Sequence, residues 1–255
     1  MLLENQTRFD VPNDMETAIA LGYVSGWSIF SVWNENASVS TTQEEMSNVG
    51  GIRTLPSVAG ALSIVSSATT DTAAGTGART VLITYLDSDY LVQQVLVTLN
   101  GITPVNANVN AIRFRNAIVV TSGANNDPDG NLTIAIGGVT QAIIFAGQNE
   151  SRETGYTVPG NKKFLSTHAV IATGRGGSVD VDVAFEYRLF GSSVWYTLRS
   201  LQLYQAFAEL AVVGVAALPP KSDFRVLATA TGGAGPACYV QARGYEIETR
   251  VLPGG

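Results

Sequence analysis

Between Val179 and Leu189 the sequence alternates in polarity. Val179, Val181, Val183, Phe185, Tyr187 and Leu189 fall on one side, and Asp180, Asp182, Glu186 and Arg188 on the other. Only an extended backbone sends every second side chain to the same face, so the stretch is expected as a half-buried antiparallel strand. The same signal recurs along the chain. The β-branched runs 80–86 and 94–99 flank the turn residues Asp87-Ser-Asp89 and are expected to pair as a hairpin. Further strands are expected at 112–114, 117–121 and 132–136, and later at 195–204, 223–230 and 237–247.

Helical signals are sparse. Residues 13–21, capped by Asn or Asp and ended by Gly22, form the best candidate. Residues 203–210 suit either a single turn or a strand end. Charged 148–153 followed by Thr154-Gly-Tyr-Thr-Val-Pro-Gly-Asn161 reads as a boundary. The expected fold is therefore all-β: two antiparallel β-sandwich (jelly-roll-like) units at 51–153 and 154–255, with an N-terminal segment or arm at 1–50. Strand spacing does not choose between jelly-roll and immunoglobulin-like order.

Composition narrows the function. Hydrophobic residues make up 45% of the 255, enough for packed cores, whereas charged residues make up only 14%. The surface must then be covered largely by Ser, Thr, Asn, Gln and Gly, which suits a chain that buries its outside against copies of itself or other subunits. A net charge of −6 with three lysines, Lys162, Lys163 and Lys221, leaves no basic stripe for nucleic acid. No run of 18 apolar residues suggests a membrane span, no basic leader precedes an apolar segment, and neither membrane nor nucleic acid is an expected partner. Cys238 is the sole cysteine, expected as a buried small hydrophobe rather than a nucleophile.

Several motifs invite a chemical reading. Gly75-Thr-Gly-Ala-Arg79 has the glycines of a phosphate loop, but Arg79 stands where lysine is wanted and a strand follows instead of a helix. It is expected to be a bend. Asp127-Pro-Asp129-Gly130-Asn131 resembles part of a calcium loop, yet Gly138 occupies the position of the closing glutamate, so a turn is expected. His168, the only histidine, lies in a strand-like run with no nucleophile elbow nearby. Asp180 with Asp182, and Glu246 with Glu248, have the same-face spacing of glycosidase carboxylates. Each pair alternates with apolar residues and is expected on the wet face of a sheet. No catalytic residue, metal site or cofactor is expected. Trp27, Phe30 and Trp33 are candidates either for a core edge or for anchors in a partner's groove. Trp195, Tyr196 and Tyr204, beside the Gly191-Ser-Ser193 loop, are candidates for stacking on a host glycan.

The segments Asp71-Thr-Ala-Ala-Gly-Thr-Gly-Ala-Arg-Thr-Val-Leu-Ile83, Leu86-Asp-Ser-Asp-Tyr90 and Val97-Thr-Leu-Asn-Gly101 closely resemble a recurrent block in structural proteins of tailed bacteriophages, especially marine phages and cyanophages. Tyr156-Thr-Val-Pro-Gly-Asn-Lys162, Leu201-Gln-Leu-Tyr204, Leu218-Pro-Pro-Lys-Ser-Asp223 and Gly244-Tyr-Glu-Ile-Glu248 fit the second half of the same pattern more loosely. The resemblance spans roughly residues 50–250; before it, only Gly22-Tyr-Val-Ser-Gly-Trp-Ser28 corresponds, weakly. It implies a virion location and a capsid decoration, cement, neck or tail role. The implied partners are the chain itself, as a trimer in a capsid setting, and major capsid, neck or tail proteins. It carries no catalytic motif onto these positions.

Overall fold

The computed structural model describes residues 15–174, 179–204, 206–211, 217–233 and 235–249. The chain opens with α1 (Met15–Ala20), β1 (Trp27–Asn36) and β2 (Glu44–Glu45). Seven strands follow: β3 (Gly60–Ser66), β4 (Ala78–Leu86), β5 (Val92–Thr98), β6 (Val105–Ala111), β7 (Arg113–Ser122), β8 (Leu132–Ile136) and β9 (Val139–Ile144). Seven more follow among the described residues: β10 (Tyr156–Thr157), β11 (Lys162–Thr173), β12 (Asp180–Arg188), β13 (Tyr196–Leu203), β14 (Phe207–Ala211), β15 (Asp223–Thr231) and β16 (Cys238–Glu248).

The protein is all-β, with every named strand pair antiparallel. Sheets β6-β3-β8-β9 and β5-β4-β7 enclose one core, with Leu62, Ile64, Val81, Ile83, Ile134 and Ile144 at its centre. Sheets β1-β16-β11-β14 and β10-β15-β12-β13, the latter with β2 on β15, enclose the other, around Phe164, Ile171, Val181, Val183, Val226 and Val240. Period-two patterning accounts for both. In β12, Val181, Val183 and Phe185 are buried while Asp182 is exposed, as the alternation requires.

The hairpin of β4 and β5 forms in the expected place, Thr80 facing Thr98 and Leu86 facing Val92. The strands expected at 112–114 and 117–121 are one strand, β7, whose pairing with β4 slips between Thr84 and Tyr85. Residues 207–211 are strand β14 and not a turn. The helix is shorter than expected within the described residues, and the apolar run 210–218 lies largely outside them.

Residues 27–45, expected within a separate N-terminal segment, lie inside the second sandwich. β1 pairs with β16 along ten residues, from Trp27 opposite Ile247 to Asn36 opposite Cys238. β2 pairs with β15. The first sandwich is thus an insertion between β2 and β10. The physical reason is the inner face of β1, where Phe30, Val32 and Asn34 close a core edge that β16 alone would leave open to water.

Candidate functional site: a buried charged seam between the sandwiches

Charged side chains are scarce in this sequence, and nine of them meet in three largely buried clusters between the two sandwiches. β7 begins Arg113-Phe-Arg115, and both arginines point out of the first sandwich into the second. Arg113 meets Asp223 at 3.1 Å. Asp223 also accepts from Thr157 Oγ1 at 2.6 Å and from Arg188 Nη2 at 2.5 Å. Burial alone would raise the Asp223 carboxyl, but Arg113 beside it, with the hydrogen bonds of Thr157 and Arg188, holds it below the usual carboxylate range.

Glu246 forms a second cluster. It accepts from Arg115 at 2.5 Å, from Lys162 Nζ at 2.7 Å and from Tyr156 Oη at 2.8 Å. The Arg115 guanidinium also lies 4.5 Å from the Phe30 ring centroid and 5.3 Å from that of Tyr156. Burial pushes the Glu246 carboxyl up; Arg115 and Lys162 outweigh it and the net shift is downward. Tyr156 is pushed well above its ordinary range, by burial first and by Glu246 next.

The third cluster has an odd charge count. Arg53 Nη2 meets Glu45 Oε1 at 2.5 Å and Arg53 Nη1 lies 3.5 Å from Glu153 Oε2, so two buried carboxyls share one guanidinium. Arg53 Nη1 also donates to the Gln141 carbonyl of the first sandwich at 2.9 Å. The guanidinium lies flat against Gly155, where a Cβ would sit 1.4 Å from Nη2; no larger residue fits. The backbone N–H groups of Ile143 and Asn48 act on Glu153 electrostatically, but neither reaches hydrogen-bond geometry with its oxygens. Burial raises the Glu153 carboxyl to about 8, Arg53 opposing and Glu45 reinforcing. Glu153 therefore holds its proton more tightly than an ordinary glutamate.

These clusters tie the sandwiches together chemically. The seam opens to solvent in a cleft of about 490 Å³ flanked by Gln93, Gln94, Asn116, Asn161 and Lys162.

The residues singled out in the sequence fall in several places. Glu246 is not on a wet face: it is 4% exposed and shares strand parity with buried Val240 and Ala242. That parity was the available signal, and a charge in register with core residues marks a buried pair. Glu248 is exposed, so the two glutamates do not form a catalytic pair. Asp182 is exposed and Asp180 half-buried. Among the described residues no group of three or more His, Cys, Asp or Glu side chains could hold a metal ion. His168 sits where the β11–β16 register slips, 3.6 Å from Glu209.

Gly75-Thr-Gly77 is a bend, and the structure shows what fills it. Asp71, fully buried, accepts from the N–H groups of Ala78 at 2.8 Å, Asp129 at 3.0 Å and Gly130 at 3.0 Å, and from Ser66 Oγ. The chain's own carboxylate occupies the ring of donors that would otherwise receive an anion. The glycine loop and the Asp127–Asn131 turn are thereby one knot. A Cβ at Gly77 would lie 2.1 Å from Asp71 Oδ1, which is why glycine stands there.

Phe30 packs inward, 4.4 Å from the Tyr156 ring. Trp27 and Trp33 lie on the outer face of β1, against Tyr245 and Tyr239 respectively, with Arg152 4.5 Å from the Trp33 ring. Trp195 is covered by Arg225 at 3.8 Å and flanked by Arg188 at 4.9 Å. Tyr196 stacks on Tyr187, and Tyr204 stands beyond the other end of β13. At about 3.3 Å per residue, Tyr196 and Tyr204 are roughly 26 Å apart along the strand, so the structure does not bring the three rings together.

No family model matches the chain, and no curated protein matches it. Among the solved structures that match it weakly are chains of three viruses. One is a chain of the cowpea mosaic virus top component, described as naturally occurring empty particles: 12% identity, TM-score 0.24, covering 78% of this chain and 90% of that one. A chain of broad bean stain virus has 10% identity and TM-score 0.23, covering 80% and 97%. A chain of the infectious bursal disease virus Gx strain has 11% identity and TM-score 0.28, covering 95% and 75%. At such TM-scores these likenesses carry no argument about this chain.

Proposed function

We propose that this chain is a non-enzymatic structural subunit of a virion, a capsid decoration, cement, neck or tail-associated protein that stabilises the particle by packing against copies of itself and against neighbouring virion proteins. The observation that carries the reading is how the charge is spent. Arg53, Arg113, Arg115, Glu45, Glu153, Asp223 and Glu246 are all buried side chains joining the two sandwiches, while the exposed charges among the described residues are few and dispersed, at Glu35, Asp89, Glu150, Lys163, Asp182, Arg199, Glu209 and Glu248. A unit stiffened inside and sparsely charged outside suits close packing, because few ions must be dehydrated when neighbours meet. The sequence resemblance to tailed-phage structural proteins points the same way. The division proposed for the chain is two sandwich units, 51–153 and 154–255, with the N-terminal segment donating strands to the second.

The test is sedimentation velocity of the full chain over a wide concentration range, followed by binding to purified virion proteins. Assembly into a trimer or another closed ring is expected. A monodisperse monomer with no affinity for any virion protein overturns the reading. Deleting residues 1–49 is not a usable test, because it removes β1 and β2 from the second sandwich. A host-glycan module is the alternative; Trp195 lies beneath Arg225, so it would rest on Tyr196 or Tyr204, 44% and 53% exposed.

A further inference from the structure

Sheet edges expose unpaired backbone donors and acceptors, and proteins protect them with charges, prolines, bulges or covering segments. Among the described residues the sheet edges follow that rule with one exception. β1 carries Glu35, β13 carries Arg199 and β14 carries Glu209. β6 has no charge, but its pairing with β3 slips and Asn108 has φ +58. β9 is covered by residues 53–54 through Arg53 Nη1 to the Gln141 carbonyl and Gln141 Nε2 to the Thr54 carbonyl.

The exception is β5. Val92-Gln-Gln-Val-Leu-Val-Thr98 is seven residues long and regular, with neither charge nor proline. Leu99 N donates to Arg79 O at 2.9 Å, which fixes the phase of the β4–β5 ladder. Gln93, Val95 and Val97 direct their main-chain groups to β4; Val92, Gln94, Leu96 and Thr98 direct theirs outward. Among the described residues no backbone hydrogen bond meets that outward edge.

Side chains extend the pattern. On the outer face, Leu96, Leu82 and Ile118 form one apolar row across β5, β4 and β7. Leu96 is 57% and Ile118 41% exposed. The rows on either side are Gln94-Thr84-Asn116 and Thr98-Thr80-Thr121. None of these nine side chains is charged.

We infer that the free edge of β5 pairs antiparallel with β5 of a second copy, about a two-fold axis through Leu96. This deepens the virion-subunit reading and rests on it. Leu96 N–H donates to the Leu96 carbonyl of the other copy, and reciprocally. Gln94 then faces Thr98 of the other copy, and the apolar row runs unbroken through both three-stranded sheets. Like residues meet at a two-fold, and an uncharged edge meets its copy without repulsion. The contact is smaller than the roughly 800 Å² per partner of a standard interface, so it is one of several contacts in an assembly.

The test combines cross-linking with sedimentation of the full chain. In a hydrogen-bonded antiparallel pair the Cα atoms lie about 5.5 Å apart, within disulfide reach. Cys238 is fully buried, so an engineered cysteine is the accessible thiol. Under mild oxidation Leu96→Cys is expected to form a covalent dimer and Val139→Cys, on the covered β9 edge, is not. Leu96→Lys is expected to weaken self-association at least tenfold while leaving the unfolding midpoint unchanged. If the native chain self-associates but Leu96→Cys gives no dimer, the edge contact is wrong and the virion reading stands. If the native chain stays monomeric, binds no virion protein and Leu96→Cys does not cross-link, both fall.

Discussion

Arg115 and Glu246 are 131 residues apart in sequence and 2.5 Å apart in space, and through them the first sandwich grips the second. The pair is buried on both sides, so its value depends on what replaces it.

Removing one partner leaves a charge stranded. Glu246→Gln, which leaves buried Arg115 and Lys162 facing no carboxylate, is expected to destabilise the protein by about 3–5 kcal/mol, and Arg115→Ala by less because Lys162 and Tyr156 still pair with Glu246. Arg115→Met combined with Glu246→Leu should recover most of the loss. Chemical denaturation of Arg115→Met, Glu246→Leu and the double variant as a double-mutant cycle measures the coupling; additive losses would mean the pair does not act as a unit.

Glu153 makes stability depend on pH in an unusual direction. Its folded value, about 8, lies above the ordinary 4.5. The folded state therefore holds a proton that the unfolded chain releases. This contribution is complete below about 4.5 and is lost as the pH rises towards 8, on the order of a few kcal/mol. Asp223 and Glu246, both held low, act oppositely: their contribution is present above the ordinary carboxylate values and is lost as the pH falls through their folded ones. Denaturation midpoints should therefore peak in the weakly acidic range. Glu153→Gln should flatten the decline between pH 5 and 8 and leave the acid limb in place.

The Asp71 knot predicts both a loss and an indifference. Asp71→Asn exchanges an acceptor of four hydrogen bonds for one with a single acceptor oxygen, at a cost of about 2–4 kcal/mol. Gly77→Ala forces a methyl onto the same carboxylate and should cost a similar amount. Inorganic phosphate and nucleotides should leave the thermal midpoint of the native chain unchanged, since Asp71 already fills the ring of donors.

Cys238 is buried in β16 and its thiol is pushed up to about 12 by burial. A thiol reagent at pH 8 should leave the native protein unlabelled and react fully in denaturant. Rapid labelling of the native chain would show that β16 separates readily from β1.

Much of this architecture was legible in the sequence, and the exceptions share a cause. Alternation located β12 because one face is apolar and the other polar, and β-branched runs beside turn residues located β4 and β5. Alternation passed over β6, Val105-Asn-Ala-Asn-Val-Asn-Ala111, whose small residues and asparagines read as loop although they sit on a sheet. It also left β1 unassigned to a sandwich, because the partner of β1 lies at the far end of the chain. The seam was hidden for the same reason. Arg115 and Glu246 are ordinary strand residues until two distant strands meet, and only the parity of Glu246 with Val240 and Ala242 marked it as inward.

The insertion of one sandwich between β2 and β10 sets an order of events during synthesis. β1 leaves the ribosome about 200 residues before β16, the strand it must join. At about 5–20 residues per second, β1 waits roughly 10–40 seconds without its partner, while β3 to β9 have everything needed to close their own core. β16 also delivers Glu246, the acceptor for Arg115. A chain interrupted before β16 therefore exposes the inner side of β1 and an unneutralised arginine together.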